Sequence, residues 1–348
     1  MIFLSRKYVI LVKFILFWIL PCVSFSQVLL PYTNLKFNIT VMDENQEMID
    51  GAVVRVNFEY VTQEGIVNTL HENRSSLDAP VSVQERGVRT FTQIAGEGFW
   101  DIFLQDGGED YVNPATGWYF ENAVKNLVFM LRRKINPRPL FVHRLHELRI
   151  FELETRYGFD FETGDLVRPH GKGTKVDIIF TMHGDVIPET GEYDVRLRIS
   201  FPNEGDGIQA VPIGEQSGRS VLLLGQNAPT HGYEAGYEIR TIQQRIGRFT
   251  RNITTPAHQE QAAFEGMWFR TNTVLDPETG QVLSARYGKI YSDLDYLITF
   301  SFFPENHLGM TEGRIGFTYF YAPDHSRSLE FNGETLVPNG NLQGVNKR

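Results

Sequence analysis

Three groups of residues in this chain have side-chain types and spacings suited to binding. Lys289, Tyr291 and Asp293 in "YGKIYSD" alternate along a run that reads as a strand. A cation, a phenol and a carboxylate would then share one face and line a shallow groove; cross-strand pairing accounts for the same pattern. Asp160, Glu162 and Asp165 in "DFETGD" put three carboxylates on one turn, an oxygen-rich set suited to Ca2+. Hairpin acids that merely face solvent have the same sequence. Trp118 and Trp268, with Trp100 and Tyr119, offer flat rings for stacking a sugar, or else fill a core.

Other chemistries lack their residues. Gly171-Lys172-Gly173-Thr174 looks like part of a phosphate loop, which needs Gly-x4-Gly-Lys-Ser/Thr between a strand and a helix. Leu166 stands where the first glycine belongs, Gly173 follows Lys172, and the alternating "KVDIIF" comes next. The segment therefore reads as a turn whose glycines serve backbone geometry. His143 and His146 in "HRLHE" lack the residue order of a zinc-protease motif, and no Gly-x-Ser-x-Gly elbow occurs. A pair of carboxylates for hydrolysis stays open, because its members can come from distant parts of the chain.

The elements that must position these residues are strands. Leu35, Phe37, Ile39 and Val41 alternate with Lys36, Asn38 and Thr40. Val54, Val56, Phe58 and Tyr60 do the same, as do Tyr193, Val195, Leu197, Ile199 and Phe201. Further candidates span 176–182, 267–275, 282–287, 296–303 and 315–321. Such period-2 patterns mark strands with one wet face, as in antiparallel sandwiches. "DFETGD", "IPETGE", "NPATGW" and "DPETGQ" each carry Thr-Gly, which predicts hairpin loops with a left-handed glycine after a type I turn. Residues 121–133 fit a helix or a strand, and Thr255-Pro256 suits the start of a short helix. The expected class is all-β: two β-sandwich domains with little helix.

The 348 residues suffice for two domains. Residues 1–26 have the order of a secretory signal peptide: basic Arg6, Lys7 and Lys13, an apolar run, then Ser24-Phe25-Ser26 before Gln27. An uncleaved anchor or a lipoprotein at Cys22 are the alternatives. The expected location is secreted, periplasmic or at the cell surface, with no transmembrane span after cleavage. Cys22 is the only cysteine, so no disulfide framework is available. The net charge of −9 becomes more acidic once the leader leaves, which disfavours nucleic acid as a partner. "KINPRPLFVHRLHE" at 134–147 suggests a linker between a domain at 27–140 and a larger one at 148–335, with a flexible tail at 336–348.

Two resemblances add to this. "FNITVMDENQEMIDGAVVRVNF" and "FTQIAGEGFWDIFL" resemble carboxypeptidase-regulatory-like, transthyretin-like β-sandwich domains through Asp43, Gly51, Ala52, Thr92, Gly98 and Phe99. The Gly-x-Tyr ending of that pattern is missing. The segments "YGFDFETGDLVRPHGKGTKVDIIF", "SFPNEGDGIQ", "VLDPETGQVLSARYGKIYSDL" and "FTYFYAPDHSRSLEFNG" resemble a group of uncharacterised exported bacterial proteins. The resemblances imply sandwich folds and export, and no catalytic residue. The expected function is that of a non-catalytic surface-interaction or carbohydrate-binding module, with an extracellular or envelope glycan or protein as partner. It needs no cofactor beyond an optional Ca2+. The alternative is a polysaccharide-active or other hydrolase with a carboxylate site in the C-terminal domain, and the third reading is a structural envelope component.

Overall fold

The computed structural model describes residues 33–62, 64–87, 89–95, 97, 102–107, 122–212, 219–220, 224–246, 249–256, 264–291, 298–305, 310–342 and 345. Residues 1–32, Trp100, Trp118, Tyr119, Asp293, Gly98 and Phe99 lie outside them. Every regular element among the described residues is a strand, so the chain is all-β. None of them forms a helix long and apolar enough to cross a membrane.

The first seven strands are β1 (Thr33–Asp43), β2 (Val53–Thr62), β3 (Gly65–Arg74), β4 (Val81–Gly87), β5 (Arg89–Ala95), β6 (Ile102–Gly107) and β7 (Asn122–Leu131). One sheet has the order β4-β1-β7, and β6-β5-β2-β3 belong to another. The alternation in β1 sends Leu35, Phe37, Ile39 and Val41 inward against Val54, Val56 and Phe58 of β2, all at most 1% exposed. Burying each such side chain contributes about 1.5–3 kcal/mol. Residues 121–133, compatible with either element, become a strand because β7 pairs in parallel with β1 along ten residues, which places Phe129 and Leu131 in this core. Asp43 closes β1, its Oδ1 accepting the N–H groups of Asn45 (2.9 Å) and Glu47 (3.1 Å).

The second group comprises β8 (Arg138–Ile150), β9 (Arg156–Asp160), β10 (Asp165–Leu166), β11 (Ile178–Ile187), β12 (Glu192–Ser200), β13 (Gly207–Pro212), β14 (Arg219–Ser220), β15 (Gly236–Ile246), β16 (Phe249–Pro256), β17 (Phe264–Leu275), β18 (Val282–Tyr291), β19 (Thr299–Phe303), β20 (Glu312–Tyr321) and β21 (Phe331–Thr335). One sheet runs β10-β9-β11-β12-β15-β16; the other runs β13-β17-β18-β20-β8-β21, with β19 also on β20. β14 joins β6 of the first group. Between the two larger sheets lies an aromatic core that includes Phe159, Phe161, Phe180, Phe269, Phe317, Tyr319 and Tyr321.

Thr255-Pro256 ends β16, paired with Arg240 and Ile239, and residues 257–263, where the short helix is expected, lie outside the described ones. One expectation changes. Most of the expected linker is β8, whose Leu145, Arg144, His143 and Val142 pair with Phe317 to Phe320. An apolar outer face explains the tail: Val142, Leu140, Trp268, Tyr287, Phe320 and Leu329 form a second core on the far side of this sheet. The tail helps cover that region. Leu336 N–H donates to Leu140 O at 2.8 Å, and Val345, 5% exposed, packs in that core with Leu342, while Val337 joins the inter-sheet core.

Candidate functional site

The loop after β9 is built around carboxylates. Asp160 is 2% exposed; its Oδ1 accepts the N–H groups of Glu162 (2.9 Å) and Thr163 (3.3 Å), and its Oδ2 those of Thr174 (3.0 Å) and Lys175 (3.3 Å). Asp165 accepts from Leu166 N–H at 2.8 Å and from Lys172 N–H at 3.0 Å. Glu162 pairs with Arg286 Nη1, and with Lys175 Nζ at 3.7 Å. The three carboxylates considered for Ca2+ thus organise the chain around themselves. Among the described residues no three His, Cys, Asp or Glu side chains converge as a metal-binding group. The Gly-Lys-Gly-Thr segment wraps these acids. A Cβ on Gly171 would sit 2.7 Å from Asp165 Oδ1, and one on Gly173 2.9 Å from Asp160 Cβ, so close approach requires both glycines.

Below this loop is Asp177, 1% exposed. Its Oδ1 accepts from Asn272 Nδ2 (2.9 Å) and lies 3.6 Å from Lys175 Nζ; its Oδ2 accepts from Phe161 N–H (3.1 Å). Burial pushes its carboxyl above the usual range, against the opposing pull of Asn272, Lys175 and Phe161 N–H. Asn272 sits where β17 and β18 lose register between Thr271 and Val274, with φ 53°. Its amide also donates to the Tyr321 hydroxyl at 3.0 Å. A bulge, a left-handed non-glycine residue and a buried acid coincide here, and such features cluster at functional sites.

A separate open depression of about 510 Å³ lies on the outer face of the β17–β18 pair. Arg270 and Tyr287 are directly opposed across these strands. The walls come from Thr230, His231, Gly232 and Tyr233 on the loop before β15, and from Gly280, Gln281 and Val282 at the hairpin. Arg270 is 8% exposed; its Nε donates to Gly205 O (2.8 Å), as does Nη2, and its Nη1 donates to Thr230 O (2.9 Å). Its Cζ lies 4.7 Å from the centre of the Tyr233 ring, a cation–π contact. The Tyr233 hydroxyl donates to Pro229 O at 2.9 Å, and burial raises the pKa of this phenol. Gln209 lies beneath Gly232, and its Oε1 is a buried acceptor with no partner among the described residues. The site combines two phenol rings, amide groups, an imidazole and a fixed guanidinium.

Trp268 and Lys289 are cross-strand partners on this same face, one row from Arg270 and Tyr287. They are 5% and 3% exposed, covered by the second core, and Lys289 Nζ lies 5.3 Å from the Phe320 ring centre. Neither forms an exposed platform, and of the next row Arg270 and Tyr287, 8% and 6% exposed, reach only the floor of the depression. The backbone of Tyr291 pairs with Thr318. The sequence signal that was missed is the continuation of the same alternation: Arg270 two residues after Trp268, and Tyr287 two before Lys289. Compared with known proteins, the chain matches no family model and no curated protein.

Proposed function

We propose that this chain is an exported, non-catalytic β-sandwich protein that binds saccharide in the depression bounded by Tyr233, Arg270, Gln281 and Tyr287. The observation that carries the reading is the pairing of ring faces with side-chain hydrogen-bonding groups in a shallow, open site. Saccharides present apolar C–H faces rimmed by hydroxyls, which suit this mixture of aromatic and polar groups. None of the described residues lining the depression is a carboxylic acid, and glycoside hydrolysis ordinarily uses a pair of them. A glycan-array screen of the purified protein, followed by calorimetry on its hits, tests the reading. Tyr233→Ala is expected to weaken binding by at least about tenfold, roughly 1.4 kcal/mol. No saccharide bound, or unchanged affinity in the variant, sinks it.

One observation favours the hydrolytic alternative: Glu162 and the buried Asp177 share the Lys175 ammonium. Product release from the same glycans, lost in Asp177→Asn, would replace the binding reading with that one.

A further inference from the structure

A nearly buried guanidinium normally has a carboxylate partner, because an uncompensated charge away from water is costly. This protein follows that rule elsewhere. Arg286, exposed to the same 8% as Arg270, pairs with Glu162. Arg138, whose side chain is 17% exposed, pairs with Asp324 at 2.8 Å. Arg270 does not follow it: its hydrogen-bond partners among the described residues are the carbonyls of Gly205 and Thr230. A guanidinium has five N–H donors, and these bonds use three. The described residues lining the depression include Arg270 and His231 and no acid, and Arg327 adds a second positive charge acting on Tyr233. This occurs on a chain of net charge −9, so overall composition does not explain it.

We infer that the depression binds an acidic saccharide, a uronic-acid-bearing glycan whose carboxylate supplies the counter-charge that Arg270 lacks. The inference rests on the saccharide reading above and narrows it. The carboxylate takes the donors of Arg270 that the two carbonyls leave over, in charge-assisted hydrogen bonds.

The test compares oligogalacturonate with its methyl ester, which keeps the sugar rings and removes the charge, by calorimetry at low and high salt. The acid form is expected to bind at least about tenfold more tightly than the ester, with the difference shrinking at high salt. Arg270→Gln is expected to abolish the preference. Because Arg270 also anchors two carbonyls, Thr230→Glu provides a second variant. It places a carboxylate at an exposed rim position and should remove the preference without disturbing the floor. Equal binding of acid and ester overturns the acidic assignment while leaving the saccharide reading intact. Binding of neither form, together with an empty glycan screen, overturns both. A preference that survives in Thr230→Glu and in a folded Arg270→Gln places the acid elsewhere and overturns the inference.

Discussion

His143 Nδ1 accepts the N–H of Asn341 at 2.7 Å, which requires an unprotonated ring nitrogen facing the C-terminal segment. Burial lowers the pKa of this histidine and the neighbouring His146 lowers it further, while Asp165 acts in the opposite sense. The folded value therefore lies below the unfolded one. The stability this contributes is present above the ordinary histidine pKa of about 6.5, and is lost as pH falls through the lowered folded value. Arg144 N–H donates to Asn341 O at 2.9 Å on the same stretch, so the loss should appear locally. The protection factor of the Asn341 amide, corrected for intrinsic exchange, is expected to drop as pH falls from about 7 toward 5. His143→Phe should remove that dependence. A protection factor that is flat with pH in the parent protein would show that the histidine does not hold the segment.

Hairpin geometry decides much at the scale of elements. Gly164, Gly191 and Gly280 take φ of 68°, 69° and 67°, each closing the β9–β10, β11–β12 or β17–β18 hairpin. Each glycine N–H donates to the carbonyl four residues back, as Gly280 does to Asp276 O at 2.8 Å. A Cβ on Gly280 would meet nothing within 4 Å, so Gly280→Ala carries only the left-handed backbone cost of about 1–2 kcal/mol. Gly173→Ala instead drives a Cβ against Asp160 and Leu166, in a loop where four N–H groups share one carboxylate. It is expected to cost more than Gly280→Ala. Chemical denaturation of the two variants compares them, and the reverse order would contradict the close-approach account. β20 illustrates a second effect: Phe317 and Tyr319 enter the inter-sheet core while Phe320 enters the second core, so both faces are dry.

Across the whole molecule, the chain between the two sandwiches is pinned from both sides. The Glu330 carboxylate, 1% exposed, accepts the N–H groups of Ile135 (3.0 Å) and Asn136 (2.5 Å), and Gln226 Nε2 donates to Arg133 O (2.5 Å). On the other side Arg133 Nη2 lies 3.2 Å from Asp43 Oδ2. Glu330→Ala should leave both cores intact while freeing this segment. Trypsin cleavage after Arg132, Arg133 or Lys134 is then expected to accelerate several-fold, with the thermal transition of the cores little changed. An unaltered cleavage rate would mean that Glu330 is not the clamp. The sequence alone determined the all-β class, the inward faces of β1, β2 and β12, and the hairpins closed by Gly164, Gly191 and Gly280 ("NPATGW" lies outside the described residues), because pleat and turn conformation are set by residues adjacent in the chain. Only the tertiary structure decided that β8 and the tail complete the second sandwich, that Trp268 and Lys289 are covered, and that Arg270 lies nearly buried beside Tyr233 with no carboxylate partner among the described residues. Those outcomes depend on which loop, tens of residues away, lies over a given row of a sheet, and no local periodicity encodes that.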